Sequence, residues 1–233
     1  MRWLFLIALF LLALFSTVYS IIWGNESFHG FLLNFGTELF GAVITYLLFD
    51  FILNRKENQS AYQIELFNQL HSIENTDKEN AIKSLIKSNK IGKSNIHNIS
   101  MKGISLKGLK ISNAKISHSD FFGSNMSKTK IVESTFIDCN FGGSNFDVCY
   151  TYKSSFNYTD FANSFVRNSK IYSSNFANST FVNCNLSATI FHRCDFGKTI
   201  FKGVDCKDTI FSECEHISED LKKDLVEQGA KFK

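Results

Sequence analysis

The sequence predicts a two-part chain: a membrane-spanning α-helical hairpin followed by a repeat solenoid. Three observations predict it. Residues 3–23 and 31–53 are apolar runs of 21 and 23 residues. From Ile91 to Phe211 an apolar residue returns at every fifth position except Thr151. Proline is absent, against about 5% in ordinary chains, which suits a backbone that uses nearly every N–H.

The hairpin follows from length. A helix needs about 20 apolar residues to cross a bilayer core, and the intervening 24–30 (GNESFHG) leaves room only for a tight return. Arg2 precedes the first run and Arg55 and Lys56 follow the second, whereas the connection carries only Glu26. The positive-inside rule therefore places both termini and everything after residue 53 in the cytoplasm of a bacterial inner membrane. A signal peptide cleaved after Ser20 is the competing reading of the first run. It leaves the C-terminal part on the same side. In the second run Asn34, Glu38, Gly41 and Thr45 share one helical stripe. Glu38 has no Lys or Arg within either run, so it reads either as a protonated carboxyl between helices or, in a homo-oligomer, as one of a ring lining a cation path.

Residues 54–88 read as a helical connector and solenoid cap. Ile64, Phe67 and His71 form one stripe with Leu70 beside it. Thr76-Asp77-Lys78-Glu79 has the form of a capping box opening a helix that turns Ile82, Leu85 and Ile86 inward.

The repeat runs from 89 to 215. Of the 25 positions taken in steps of five from Ile91 to Phe211, only Thr151 is clearly polar. Two residues before each, at 89 through 214, 21 of 26 positions are Ser, Thr, Cys or Ala. Neither a helix at 3.6 nor a strand at 2 gives this period, whereas stacked repeats do. Ser124-Asn125-Met126, Cys139-Asn140-Phe141, Ser144-Asn145-Phe146, Thr159-Asp160-Phe161 and Cys194-Asp195-Phe196 resemble the A(D/N)LXX motif of pentapeptide repeat proteins. That resemblance implies an all-β solenoid, a right-handed quadrilateral β-helix with four repeats per coil and about six coils. The central residue and the small one two before it then point inward. Ile99, Ile104 and Leu109 depart from the small-residue rule, so wider or less regular first coils are expected. Ser218-Glu219-Asp220-Leu221 through Gln228-Gly229, within 216–233, predicts a C-terminal helix that covers the last coil and blocks end-to-end stacking.

Composition narrows the function. Net charge is +3. The repeat carries 15 basic and 10 acidic residues, so it is not the acidic duplex mimic found in some pentapeptide repeat proteins that occupy DNA gyrase. The six histidines are scattered, and no nucleophile–base pairing, phosphate loop or metal spacing occurs; no enzyme activity, cofactor or metal is expected. Cys139, Cys149, Cys184, Cys194 and Cys214 fall in the small inward position and Cys206 in the central one, as small hydrophobes. Cys194 and Cys214, one coil apart, have disulfide-compatible spacing, which a reducing cytoplasm disfavours.

What remains is the outer surface. Residues 20 apart stack, and one column reads Lys90, Lys110, Lys130, Tyr150, Lys170, Ile190, Ile210. Beside it lie Lys93, Lys153 and Arg193, and the column Val132, Tyr152, Tyr172, His192. Lys90, Lys110, Lys130, Tyr150, Tyr152, Lys153, Lys170, Tyr172 and Arg193 are thus the candidate ligand-binding set. Basic groups among aromatics suit single-stranded nucleic acid; acidic lipid headgroups are an alternative, as is a merely solvated face. The layout is similar to that of abortive-infection effectors, which join two-span modules to cytosolic sensors. The leading expectation is an oligomeric membrane effector or channel gated by a polyanion. The other is an anchored scaffold whose solenoid holds a protein partner.

Overall fold

The structure is a computed structural model. It describes residues 72, 74–88, 90–93 and 95–233, and between 11 and 70 residues 11, 14, 15, 18, 19, 21, 22, 34, 35, 38, 41, 43–48, 51, 52, 61, 62, 64–66 and 68–70. The chain divides into two compact units, Met1–Ile64 and Glu65–Lys233.

In the first unit the described residues are helical, and Val43 is buried. Most of the first apolar run and 11 of the 23 residues of the second lie outside the described residues. Among the described residues, no helix is long and apolar enough to cross a membrane.

The second unit opens with helix α1 (Asn75–Lys87), which buries Ala81, Ile82, Leu85 and Ile86 as its spacing predicts. The capping box does not form. Glu74 is the N-cap and makes no side-chain capping bond. Instead the Ser105 N–H donates to Glu79 Oε2 at 2.8 Å, so this carboxylate ties the helix to the first coil. The connector stripe also differs. Leu66 and Leu70 are buried in the common core while Ile64 is exposed, and Phe67 and His71 lie outside the described residues.

The repeat folds into short parallel strands: β1 (Asn95–His97), β2 (Lys110–Ser112), β3 (Lys115–Ser117), β4 (Lys130–Val132), β5 (Thr135–Ile137) and β6 (Tyr150–Tyr152). They continue as β7 (Lys170–Tyr172), β8 (Thr180–Val182), β9 (Ile190–His192), β10 (Ile200–Lys202), β11 (Ile210–Ser212) and β12 (Lys231–Phe232). Pairing is in steps of 20, as Lys110↔Lys130 and Lys130↔Tyr150. Isolated bridges such as Asp120↔Asn140 and Asn125↔Asn145 keep the same step on other sides. The square section read from the repeat is therefore present. It has about seven turns rather than six, because β12 adds a rung to a seven-stranded ladder, in the order β12-β11-β9-β7-β6-β4-β2.

Each repeat position has a physical task. Central side chains fill the interior as aromatic stacks. Phe121, Phe141, Phe161, Phe181 and Phe201 form one column with ring centres 4.8 to 5.6 Å apart, and Phe136, Phe156, Phe176 and Phe196 another. The small residue staples coils together. Ser144 Oγ donates to the Phe121 carbonyl at 2.8 Å and accepts from the Ser124 N–H at 3.1 Å. The Asp or Asn before the central residue holds the corner. In nine repeats, from Asp120 to Asp205, its Oδ1 accepts from the amide two residues on, which is the turn habit of these side chains. Every corner from Asn98 to Glu213 has positive φ. Asn, Asp and Gly suit it; Val148, at φ 60, does not.

The early coils keep the 20-residue register, with Ile99 and Ile104 buried and Leu109 half-buried. One side of the first coil does depart. Ile91–Lys93 is a 3₁₀ turn, not a strand. Gly92 is required there, because a Cβ would stand 2.4 Å from the Asn113 carbonyl oxygen.

The far end is closed by helix α2 (Glu219–Glu227), with Ser218 at its N-cap accepting from the Leu221 N–H at 3.3 Å. Gly229, at φ +95, passes the Lys207 backbone where a Cβ would be 3.0 Å from its Cα. The chain then returns as β12, and Phe232 stacks on Phe211 at 5.1 Å.

Candidate functional site

The side of the solenoid carrying β2, β4, β6, β7, β9 and β11 differs from the others. It has Lys110, Lys130, Tyr150, Lys170, Ile190 and Ile210 where Asp or Asn hold corners elsewhere. A continuous ladder forms along this side. Its outward side chains are free of a turn-forming role.

The ladder brings Lys110, Lys130, Tyr150 and Lys170 onto successive rungs. Among the described residues, Lys110, Lys130, Lys153 and Lys170 form no ion pair. The Lys130 ammonium lies over the Tyr150 ring, 5.1 Å from its centre, and Lys153 over Tyr152 at 5.3 Å. Tyr150 and Tyr172 are 5.8 Å apart, and Tyr172 meets His192 edge-on at 5.9 Å.

This surface is concave in two places. A groove of about 660 Å³ has Lys87, Lys110 and Lys130 as cations, Tyr150 and Tyr152 as aromatic walls, and Ile86, Leu109 and Val132 as apolar lining. Ser112, Asn113 and Glu133 complete it. A second, of about 410 Å³, includes Lys153, Ser154, Ser155, Asn175 and Arg193. Glu133 borders both.

The candidate set is therefore divided. Lys110, Lys130, Tyr150 and Tyr152 line the first groove; Lys153 and Arg193 line the second. Lys170 and Tyr172 continue the ladder above the first groove and line neither. Lys90 is not a rung of the ladder, because the first coil is a 3₁₀ turn on this side, and the side chain of Lys93 lies outside the described residues. Arg193 is neutralised by Glu213, Nε to Oε2 at 2.8 Å. Arg193 holds that carboxyl below its ordinary value. Lys87, missed in the sequence, reaches the groove from the end of α1, which stands outside the 20-residue register. The second stripe is described at four points: Asn34, Glu38, Gly41 and Thr45 are helical and exposed. Thr45 donates to the Gly41 carbonyl at 2.9 Å. No described residue forms an ion pair with Glu38.

The cysteines belong to the interior. All six are free thiols. Burial pushes Cys139 and Cys206 up to about 12 and Cys149 to about 11. Cys194 is raised by its hydrogen bond with Cys214 and by burial. Among the described residues, no group of His, Cys, Asp and Glu could hold a metal ion.

The sequence model of the family Pentapeptide repeats matches residues 179–215, in eight copies. This match supports the pentapeptide-repeat family for the solenoid. Among solved structures, the chain is similar to QnrB1, a plasmid-mediated fluoroquinolone resistance protein, at 20% identity over 57% of this chain and 81% of that one, with a TM-score of 0.31. It is similar to a pentapeptide repeat protein of the Arabidopsis thaliana thylakoid lumen at 17% identity, over 56% and 78% of the two chains, with a TM-score of 0.31. HetL from Nostoc sp. strain PCC 7120, involved in regulating heterocyst differentiation, is 13% identical over 58% and 93%, with a TM-score of 0.20. Comparison with curated proteins by sequence finds no match.

Proposed function

We propose that this protein is a non-enzymatic membrane effector whose solenoid binds a polyanion of the single-stranded nucleic-acid class. The observation that carries the reading is the ladder Lys110, Lys130, Tyr150, Lys170, whose lysines form no ion pair among the described residues and stand among neighbouring tyrosine rings. Phosphates pair with such lysines and bases stack on such rings. Acidic headgroups share the phosphate chemistry but not the stacking.

The membrane part of the proposal rests on 3–23 and 31–53 as spans. It is supported by Leu11, Phe15, Ile21, Ile22, Phe35, Leu48, Phe51 and Ile52, helical residues whose apolar side chains are exposed within their unit. Apolar side chains exposed in such numbers call for a covering partner, and a bilayer supplies it. In a homo-oligomer at the bacterial inner membrane, the Asn34, Glu38, Gly41, Thr45 stripe lines a cation path that ligand binding to the cytoplasmic solenoid opens, as an abortive-infection defence would use. A second reading, an anchored scaffold for a protein partner, is favoured by Phe122 and Phe165, exposed on other sides of the solenoid.

The test is salt-dependent binding of a single-stranded oligonucleotide to the full chain in detergent, with Lys110, Lys130 and Lys170 changed together to Glu. Steep salt dependence that is lost in the variant supports a polyanion receptor; binding indifferent to the changes overturns it. Liposome conductance of Glu38→Gln tests the path: unchanged cation flux removes it.

A further inference from the structure

We infer that the groove between the end of α1 and the ladder is an anchor for a single phosphate-bearing nucleotide, so that the ligand is a short nucleotide and not a long strand. The inference rests on the polyanion reading and deepens it.

Length is the first argument. From Lys110 to Lys170 the ladder climbs three rungs, about 14 Å at the β spacing. A stacked strand advances ~3.4 Å per nucleotide, so the cationic track serves about four. Above it the same column turns to Ile190 and Ile210, which offer a phosphate nothing. Below it Ile86 and Lys87 of α1 wall the groove. A long strand finds no continuous path in either direction.

The second argument is the groove itself. Its volume of about 660 Å³ falls in the range of small-ligand sites, roughly 300–1,000 Å³. Three lysines of different origin, Lys87 from the helix and Lys110 and Lys130 from the ladder, converge on it. None of the three carries an ion pair among the described residues, so each is available to a phosphate. Glu133 at the rim repels a phosphate there and accepts from a sugar hydroxyl or a base amino group, which sets the direction of the ligand.

The lysine–tyrosine contacts give the binding step. Lys130 rests on Tyr150 and Lys153 on Tyr152. Exposed cation–π contacts are weaker than base–aromatic stacking. An entering base therefore displaces a lysine from its ring, and the freed ammonium pairs with the phosphate.

The experiment titrates the full chain in detergent with oligothymidylates of one to eight nucleotides, with and without a 5′-phosphate. Support is an affinity that stops rising by about four nucleotides and a roughly tenfold gain from the 5′-phosphate. That gain disappears in Lys110→Met and Lys130→Met but survives in Lys198→Met, a lysine at a corner away from the groove. Both lysines are exposed on the ladder, so the two variants keep the melting temperature and loss of binding is not loss of fold. An affinity that climbs through eight nucleotides, indifferent to the 5′-phosphate, overturns the anchor and leaves the polyanion track standing. Absence of binding at every length overturns both. Binding only to vesicles of acidic phospholipid overturns the nucleotide assignment in favour of headgroups.

Discussion

The Lys130 ammonium lies 5.1 Å from the centre of the Tyr150 ring, its neighbour one rung up the same ladder. Both residues take the position that Asp or Asn occupies on other sides, so neither is needed to hold a corner. Lys130→Met should therefore leave the melting temperature unchanged. It should weaken oligonucleotide binding several-fold and lower the slope of log K against log salt by about 0.7, one phosphate contact on a single strand. Binding isotherms at three salt concentrations check this.

Thr151 is the one polar residue in the central row, and it borders an interior cavity of about 20 Å³ with Phe156, Phe161, Val166, Ile171 and Phe176. Cavity volume costs about 24 cal/mol per Å³. Thr151→Ile should fill the void and stabilise the solenoid by roughly 0.5–1 kcal/mol. Urea denaturation measures it; a lower midpoint would show that the neighbouring coils cannot accept the extra methylene.

Val148 sits at a corner with φ 60, a conformation costly for a β-branched residue. It is exposed, so nothing is lost by replacing it. Val148→Asn should raise the urea midpoint with an unchanged m-value, by about 1 kcal/mol.

Phe232 closes the stack that runs through Phe191 and Phe211. Phe232→Ala should cost about 1–3 kcal/mol, below the full core value because the side chain is only half-buried. Hydrogen exchange should show the loss first at β11 and β12, with the middle coils protected as before.

The same end is pH-sensitive. Lys231 lowers the Asp208 carboxyl through a 2.7 Å hydrogen bond, and Arg193 lowers Glu213. Groups with depressed folded values stabilise above their unfolded values, 3.8 and 4.5, and lose that contribution as pH falls through the folded ones. Asp195 raises His216 at the same end, a contribution lost as pH rises through its folded value, so amide exchange at β12, with intrinsic rates removed, should be slowest near pH 5 and accelerate below about pH 4.

The solenoid was legible because its interior admits only two side-chain sizes, repeated at fixed places, so Phe136, Phe156 and Phe176 announce their stack by spacing alone. The ladder of Lys110, Lys130 and Tyr150 followed from the same arithmetic. The neutralisation of Arg193 lies in the same arithmetic, since Glu213 stands one coil beyond it. What escaped lies where the register breaks. Lys87 reaches the groove from a helix. Glu79, which the Thr76–Glu79 pattern places in its own helix cap, serves the Ser105 amide. Phe232 completes the ladder 21 residues after Phe211, because α2 intervenes. No local spacing encodes contacts between a helix and a coil that meet only after folding.

Nine corners on the other sides use an Asp or Asn side chain, whereas the Lys110–Tyr150 side keeps its shape through backbone pairing alone. Recognition and folding are thereby written in different residues. A new set of outward side chains can be placed along that side, six positions deep, without rewriting any instruction the coil needs to close. Ligand choice in this scaffold can drift freely while the fold stands still.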